Sequence, residues 1–220
     1  MLLAELREQV VRTGIEALNR GMIYGTAGNF SIRDDDTGLI AISPSGIPYP
    51  EIVATDVVVI DNEANLRDGA RKPSSESPMH AMIYRAHPRI KAIVHTHSHY
   101  STVVSTIRSY LPAILTEVCL VVGPRVPVTR YGLTGMDDIG QSVLEVMDDV
   151  TKAVILKNHG LIAFGGSFDE ALTVATIVEE AARVYVDALA ANGGREPDLV
   201  PEELVPSMRE RFLAMYGQRE

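Results

Sequence analysis

The sequence predicts an α/β fold in which helices cover a largely antiparallel sheet. Three observations carry that expectation. Stretches with helical apolar spacing and short β-branched runs both occur along the 220-residue chain. They do not alternate in the regular strand–helix–strand units of a parallel sheet. No glycine-rich fingerprint follows the early strand-like runs, which argues against a dinucleotide-binding fold.

The first segment, "LLAELREQVVRTGIEALNRG", spaces Leu2, Leu3, Leu6, Val10, Ile15 and Leu18 mostly as a helix, with Gly21 as its C-terminal stop. "NFSIR", "LIAI" and "VVVI" follow as β runs, separated by turn-rich "DDDTG" and "SPSGIP". A helix then opens around Ser75 and Glu76 and continues until Pro88. "IKAIVHTH" reads as a buried strand, and "SHYSTVVSTI" resumes helical spacing from Ser98.

"TGMDDIGQSVLEVM" predicts a helix with Thr134 and Asp137 as a capping box. "AVILKNHGLIAFG" predicts two strands around a tight turn at Asn158–Gly160. The longest helix starts at Ser167, with Glu170 completing a second capping box, and stops at Gly193. A polar linker, "REPDLVP", precedes a last short amphipathic helix. Residues 1–220 read as one domain without internal repeats, long enough to bury a substantial core.

Composition narrows the function classes. Hydrophobic residues make up 46% and charged residues 22%, as in ordinary globular chains. The formal net charge is −9 with no basic cluster, which argues against a nucleic-acid surface. Cys119 stands alone, so no intrachain disulfide forms and a reducing compartment fits. No run approaches the ~18 apolar residues of a membrane helix. The start "MLLAEL" reaches Glu5 too soon for a signal peptide. The expectation is a soluble, cytoplasmic protein without nucleic-acid or membrane partners.

The stretch "IVHTHSH" carries the chemistry, with His95, His97 and His99 alternating with polar residues. Residues two apart on a strand share a face, so His95 and His97 suit adjacent corners of a metal's coordination shell. His99 falls in the following helix and reads as a bystander. "KNHG" offers His159 as a third ligand beside a glycine. Three histidines with one open position describe a catalytic zinc site, whereas a structural site closes its fourth position.

Glu76, at a helix start, has three readings: a fourth ligand, a proton-transfer base or a helix-capping acid. His80, one turn on, is either a supporting group or core. Three small-residue loops, at 25–29, 43–46 and 73–75, offer hydroxyls and backbone N–H groups to a phosphate. Each alone also fits an ordinary turn.

Taken together, "GTAGNFSIR", "ISPSGIPY", "KPSSES", "IVHTHSHYSTVVS", "KNHGLIAFG" and the tail "MYGQR" resemble, in this order, the class II aldolase/adducin family. The resemblance covers essentially the whole chain. It implies a three-layer α/β/α sandwich around a mainly antiparallel sheet, assembled as a homotetramer with active sites between subunits. It implies one Zn2+ per subunit held by His95, His97 and His159, with Glu76 on the metal at rest and moving off it to shuttle a proton. It places the phosphate of a sugar-phosphate substrate on Asn29, Ser45, Gly46, Ser74 and Ser75.

The implied activity is reversible cleavage of a ketose 1-phosphate, of the L-fuculose 1-phosphate kind, into dihydroxyacetone phosphate and an aldehyde. Members with that activity carry a tyrosine after an "IPAI" segment; here Thr116 and Glu117 stand there, and Tyr216 is the tyrosine available to serve the aldehyde oxygen. Sugar-phosphate epimerases, decarboxylases and dehydratases of the family use the same metal chemistry. Its adducin-type modules keep the fold for interaction alone; they have no use for three convergent imidazoles.

Overall fold

Helix α1 (Ala4–Asn19) ends as its sequence suggests. Gly21 adopts φ +69°, its N–H bonds Leu18 O at 3.0 Å, and Met22 N–H bonds Ala17 O at 3.0 Å. This is a Schellman closure, whose left-handed position a residue without Cβ enters at no steric cost. The computed structural model describes residues 1–215; Tyr216 lies outside them.

Strands β1 (Asn29–Arg33), β2 (Ile40–Ile42) and β3 (Val58–Ile60) occupy the three expected runs. The short edge strand β4 (Leu66–Asp68) follows, largely exposed and without an alternating pattern. Helix α2 (Ser77–Ala86) stops before Pro88, because a proline ring disfavours helical backbone at the preceding residue; His87 has φ −127° and ψ 83°. Strand β5 (Ala92–Thr96) and helix α3 (His99–Ile107) lie either side of the His97–Ser98 link.

Two three-residue strands, β6 (Tyr110–Pro112) and β7 (Arg125–Pro127), and the short helix α4 (Thr116–Val121) between them carry no sequence signal of their own. Helix α5 (Asp137–Leu144), strands β8 (Ala153–Leu156) and β9 (Gly160–Gly165), and helices α6 (Phe168–Ala191) and α7 (Val205–Met215) complete the described chain.

The capping box at Thr134 is corrected. Helix α5 starts at Asp137 behind Met136, and no side chain caps it. Asp138 takes over the region, accepting from Leu133 N at 2.9 Å and from Arg130 Nη1 at 2.7 Å. The box at Ser167 holds on one side: Ser167 Oγ accepts from Glu170 N at 3.2 Å. The Glu170 carboxylate goes to Gly166 N and Lys152 rather than back to Ser167.

The main sheet runs β4-β3-β2-β1-β5-β9-β8, antiparallel throughout, and β6 pairs with β7 apart from it. Side-chain alternation divides the core into two layers. Ala92, Val94, Leu161 and Ala163 face a cluster built with α1, α3, α4 and α6. Ile93, Ile162 and Phe164 face a second cluster with Met79, Ile83 and Tyr84 of α2 and Ile139 and Val143 of α5. The result is an α/β/α sandwich. Among the described residues, no helix is long and apolar enough to cross a membrane.

Candidate metal centre

The centre of the sheet brings the candidate residues together. Register sets Asn29 opposite His95 across β1 and β5, and Thr96 opposite Leu161 across β5 and β9. His95 lies two residues after Ile93 and so faces α2, the helix that Glu76 precedes. His97 follows the end of β5, and His159 closes the three-residue turn between β8 and β9, where Asn158 adopts φ +55°.

The three imidazoles offer donor atoms that all lie within 4.8 Å of one another. His97 Nε2 and His159 Nε2 are 3.1 Å apart. Ligands on a tetrahedral zinc at about 2.0–2.1 Å lie roughly 3.3 Å apart, so this spacing fits a common ion. His95 is fully buried and gives its Nδ1–H to Leu161 O at 2.9 Å, which turns the other nitrogen inward. That inward Nε2 is buried without a hydrogen-bond partner among the described residues; Glu76 Oε2 stands 3.2 Å away. A buried acceptor left unpaired in this way is the donor a metal would take up. The residues present fit the ion.

Charge is arranged to the same end. Burial pushes His97 down to about 3 and His159 down to about 4, aided in both by the nearby His95. Both rings stay neutral and ready to ligate. Burial opposes ionisation of both His95 and Glu76, but their mutual attraction wins: His95 is raised and Glu76 is held well below the usual carboxylate range. His159 and Asn29 add to the effect on Glu76.

Glu76 occupies the N-cap position of α2, yet its side chain makes no capping bond. Ser74 Oγ accepts from Glu76 N at 3.2 Å, and the Glu76 carboxylate turns to the histidines, 3.2 Å from His95 and 3.5 Å from His159. Asn29 Nδ2 donates to Glu76 Oε2 at 2.6 Å, and Asn29 Oδ1 accepts from His80 Nε2 at 2.6 Å. Ser31 Oγ then donates to His80 Nδ1 at 2.6 Å. His80 is therefore a supporting group, kept neutral by burial that takes it to about 3. This chain was not evident in the sequence, because its members lie on separate elements.

A cleft of about 330 Å³ opens over the cluster. Asn29, Ser45, Gly46, Ser74 and Ser75 all line it, together with Glu76, His97 and His159. The 43–46 and 72–75 loops are tied to each other by Ser45 N to Lys72 O at 3.0 Å and Ser74 N to Ser43 O at 3.1 Å. Thr134, first read as a cap, is also a lining residue. Thr116 and Glu117 are exposed at the start of α4 and outside the lining, and exposed His99 meets Tyr100 edge to face and is not among the clustered imidazoles.

Gly160 explains how closely the two strands approach. A Cβ there would lie 2.2 Å from Thr96 O, a backbone atom that cannot move alone. Gly160→Ala is expected to cost about 1–3 kcal/mol by overpacking and to displace the His159 turn. Urea denaturation and bound-metal content measure both effects; full metal content in the variant would contradict the second.

The model of the class II aldolase and adducin N-terminal domain matches residues 8–186. A 5-deoxy-D-ribulose 1-phosphate aldolase of Bacillus thuringiensis serovar kurstaki is 37% identical over 219 residues, 100% of each chain. A 5-methylthioribulose-1-phosphate/5-deoxyribulose-1-phosphate aldolase of Rhodospirillum rubrum is 34% identical, over 96% of this chain and 92% of its own. A solved L-fuculose 1-phosphate aldolase superposes with a TM-score of 0.87 at 33% identity, over 97% of this chain and 98% of its own.

Proposed function

This chain belongs to the class II aldolase and adducin family, and from that premise we propose that it cleaves a ketose 1-phosphate reversibly into dihydroxyacetone phosphate and an aldehyde. One observation supports the reading most: a buried carboxylate, Glu76, is held anionic beside three convergent imidazoles at the floor of a cleft. A binding module gains nothing from that arrangement.

His95, His97 and His159 hold one divalent ion per subunit, by this reading zinc, with Glu76 close to it at rest. When bound, the ion acts as a Lewis acid on the substrate carbonyl. The rest is done by the chain itself. Hydroxyls of Ser45, Ser74 and Ser75 and the backbone N–H groups of Gly46 and Ser75, with Asn29, anchor the phosphate and fix the reacting carbons over Glu76. In condensation, Glu76 removes a proton from the carbon of dihydroxyacetone phosphate that attacks the aldehyde. In cleavage, the same carboxyl returns a proton to that carbon as the bond to the aldehyde carbon breaks. Asn29, held by His80, keeps Glu76 aimed. The aldehyde oxygen's proton is assigned to Tyr216. A homotetramer with sites between subunits completes the reading; exposed Leu133 and Met136, flanking the lining residue Thr134, give a second copy apolar surface to cover.

The names of the Bacillus and Rhodospirillum relatives favour 5-deoxyribulose 1-phosphate as substrate beside L-fuculose 1-phosphate. The test is release of dihydroxyacetone phosphate by zinc-loaded protein from fuculose, rhamnulose, ribulose and 5-deoxyribulose 1-phosphates. Release from any member names the aldehyde. Silence across the panel with zinc bound would sink the aldolase reading and turn attention to epimerisation, decarboxylation or dehydration.

A further inference from the structure

Helix α3 begins directly after the His97 segment, and its first turn is capped from another helix. Ser98 holds the N-cap position, but its hydroxyl is taken by Thr96 Oγ1 at 2.7 Å and caps nothing. The N–H groups that such a cap serves belong to the second and third helical residues, here Tyr100 and Ser101. Both donate to Glu179 of α6, Tyr100 N to Oε1 and Ser101 N to Oε2, each at 2.8 Å. Ser101 Oγ also donates to Oε2 at 2.8 Å. Ser98 and Ser101 are fully buried, so removing the carboxylate strands polar groups that water does not readily reach. An anion at this helix end is further favoured by the helix dipole.

The same helix supports the other histidine loop. Ser105 Oγ accepts from Asn158 N at 2.9 Å. Thr102 Oγ1 donates to Ser98 O at 2.7 Å and lies 3.4 Å from His159 O. Helix α3 is thus a common bracket for the His97 segment and the His159 turn; Glu179 pins its first turn to α6, while Arg108 Nε donates to Tyr185 of α6 at its far end at 2.8 Å. Its neighbour Glu180 does something different, pairing with Arg183 on an exposed face at 2.6 Å.

We propose that Glu179 is a positioning residue for the three-histidine site: by holding the first turn of α3, it keeps His97 and His159 at the spacing that a shared ion requires. The proposal rests on reading the cluster as a metal centre. It assigns Glu179 no contact with substrate or metal.

The test compares metal-loaded full chains, wild type and Glu179→Ala, in competition with a chromophoric chelator for Zn2+ and Co2+. The visible spectrum of the cobalt form and the urea stability of each variant are recorded alongside. The apparent Kd of the ion is expected to rise about 10–100-fold, the usual loss when a group that orients a ligand is removed, and the cobalt spectrum to change. Leu172→Ala, a buried α6 substitution about two turns before Glu179, serves as a stability control and is expected to bind metal as wild type does. Should Glu179→Ala not fold, Glu179→Gln and Ser105→Ala carry the same comparison, with a smaller shift in the same direction.

Unchanged affinity and an unchanged cobalt spectrum in the Glu179 variant overturn the proposal while the metal reading stands. Affinity that falls in step with stability in the Leu172→Ala control overturns it too, since the effect is then one of general loosening. A wild type that binds neither ion overturns the metal reading and the proposal with it.

Discussion

Glu76→Gln is expected to retain the metal and the fold while slowing turnover by about 10²–10⁴-fold, the usual contribution of a positioned acid or base. The substitution keeps the side chain's length and volume, so the surrounding core has no void to fill. It removes the carboxylate whose oxygens lie 3.2 and 3.5 Å from the histidines, the group to which the proposed mechanism assigns proton transfer. Asn29 Nδ2 still finds an acceptor in the amide oxygen, so the support from His80 survives. The measurement is kcat with dihydroxyacetone phosphate as the detected product, beside zinc content. Full activity with zinc in place ends the assigned role.

The second large effect is expected at His95. Among the three candidate ligands it alone is fully buried, with its orientation set by the bond to Leu161 O. His95→Ala removes an inward nitrogen that nothing nearby replaces, and leaves the Leu161 carbonyl without its partner. Bound zinc should fall from near one ion per chain to near none after dialysis against chelator, with activity lost in parallel. His99→Ala is the matched comparison, because His99 is exposed and turned toward Tyr100. It should keep both zinc and rate. A zinc-replete His95→Ala would remove the three-histidine site from the mechanism.

Much of this site was legible before any coordinates because its signals are local. A His-x-His at the end of an apolar strand and a histidine beside a turn glycine both follow from chain periodicity. Glu76 was visible only as a choice. A carboxylate at a helix start suits a cap as well as a base, and the decision depends on where α2 points it. Here the carboxylate makes no capping bond and turns to the histidines.

Other features were out of reach for reasons of distance or competition. The Asn29–Glu76 and His80–Asn29 bonds close 47 and 51 residues along the chain, which no window of sequence spans. Thr134 fitted a capping rule, but Asp138 engages Leu133 and Arg130 and the helix starts three residues later. Glu179 and Glu180 look alike as a solvated pair of acids, yet one caps α3 and the other meets Arg183 in solvent. Strands β4, β6 and β7 are three residues long and lack the apolar runs that mark the equally short β2 and β3. Their pairing comes from neighbours, not from their own composition.

The central position of β5 and β9 has one more consequence. His95 and the turn bearing His159 belong to strands paired across a separation of 66 residues, and a slip of one residue would turn His95 to the opposite face of the sheet. An ion bound by all three imidazoles therefore adds its binding energy to one registration of these strands and to no other. Misaligned chains, equally compact and equally hydrophobic, forgo that gain. Such an ion would thus act as a proofreader of assembly before any part in chemistry.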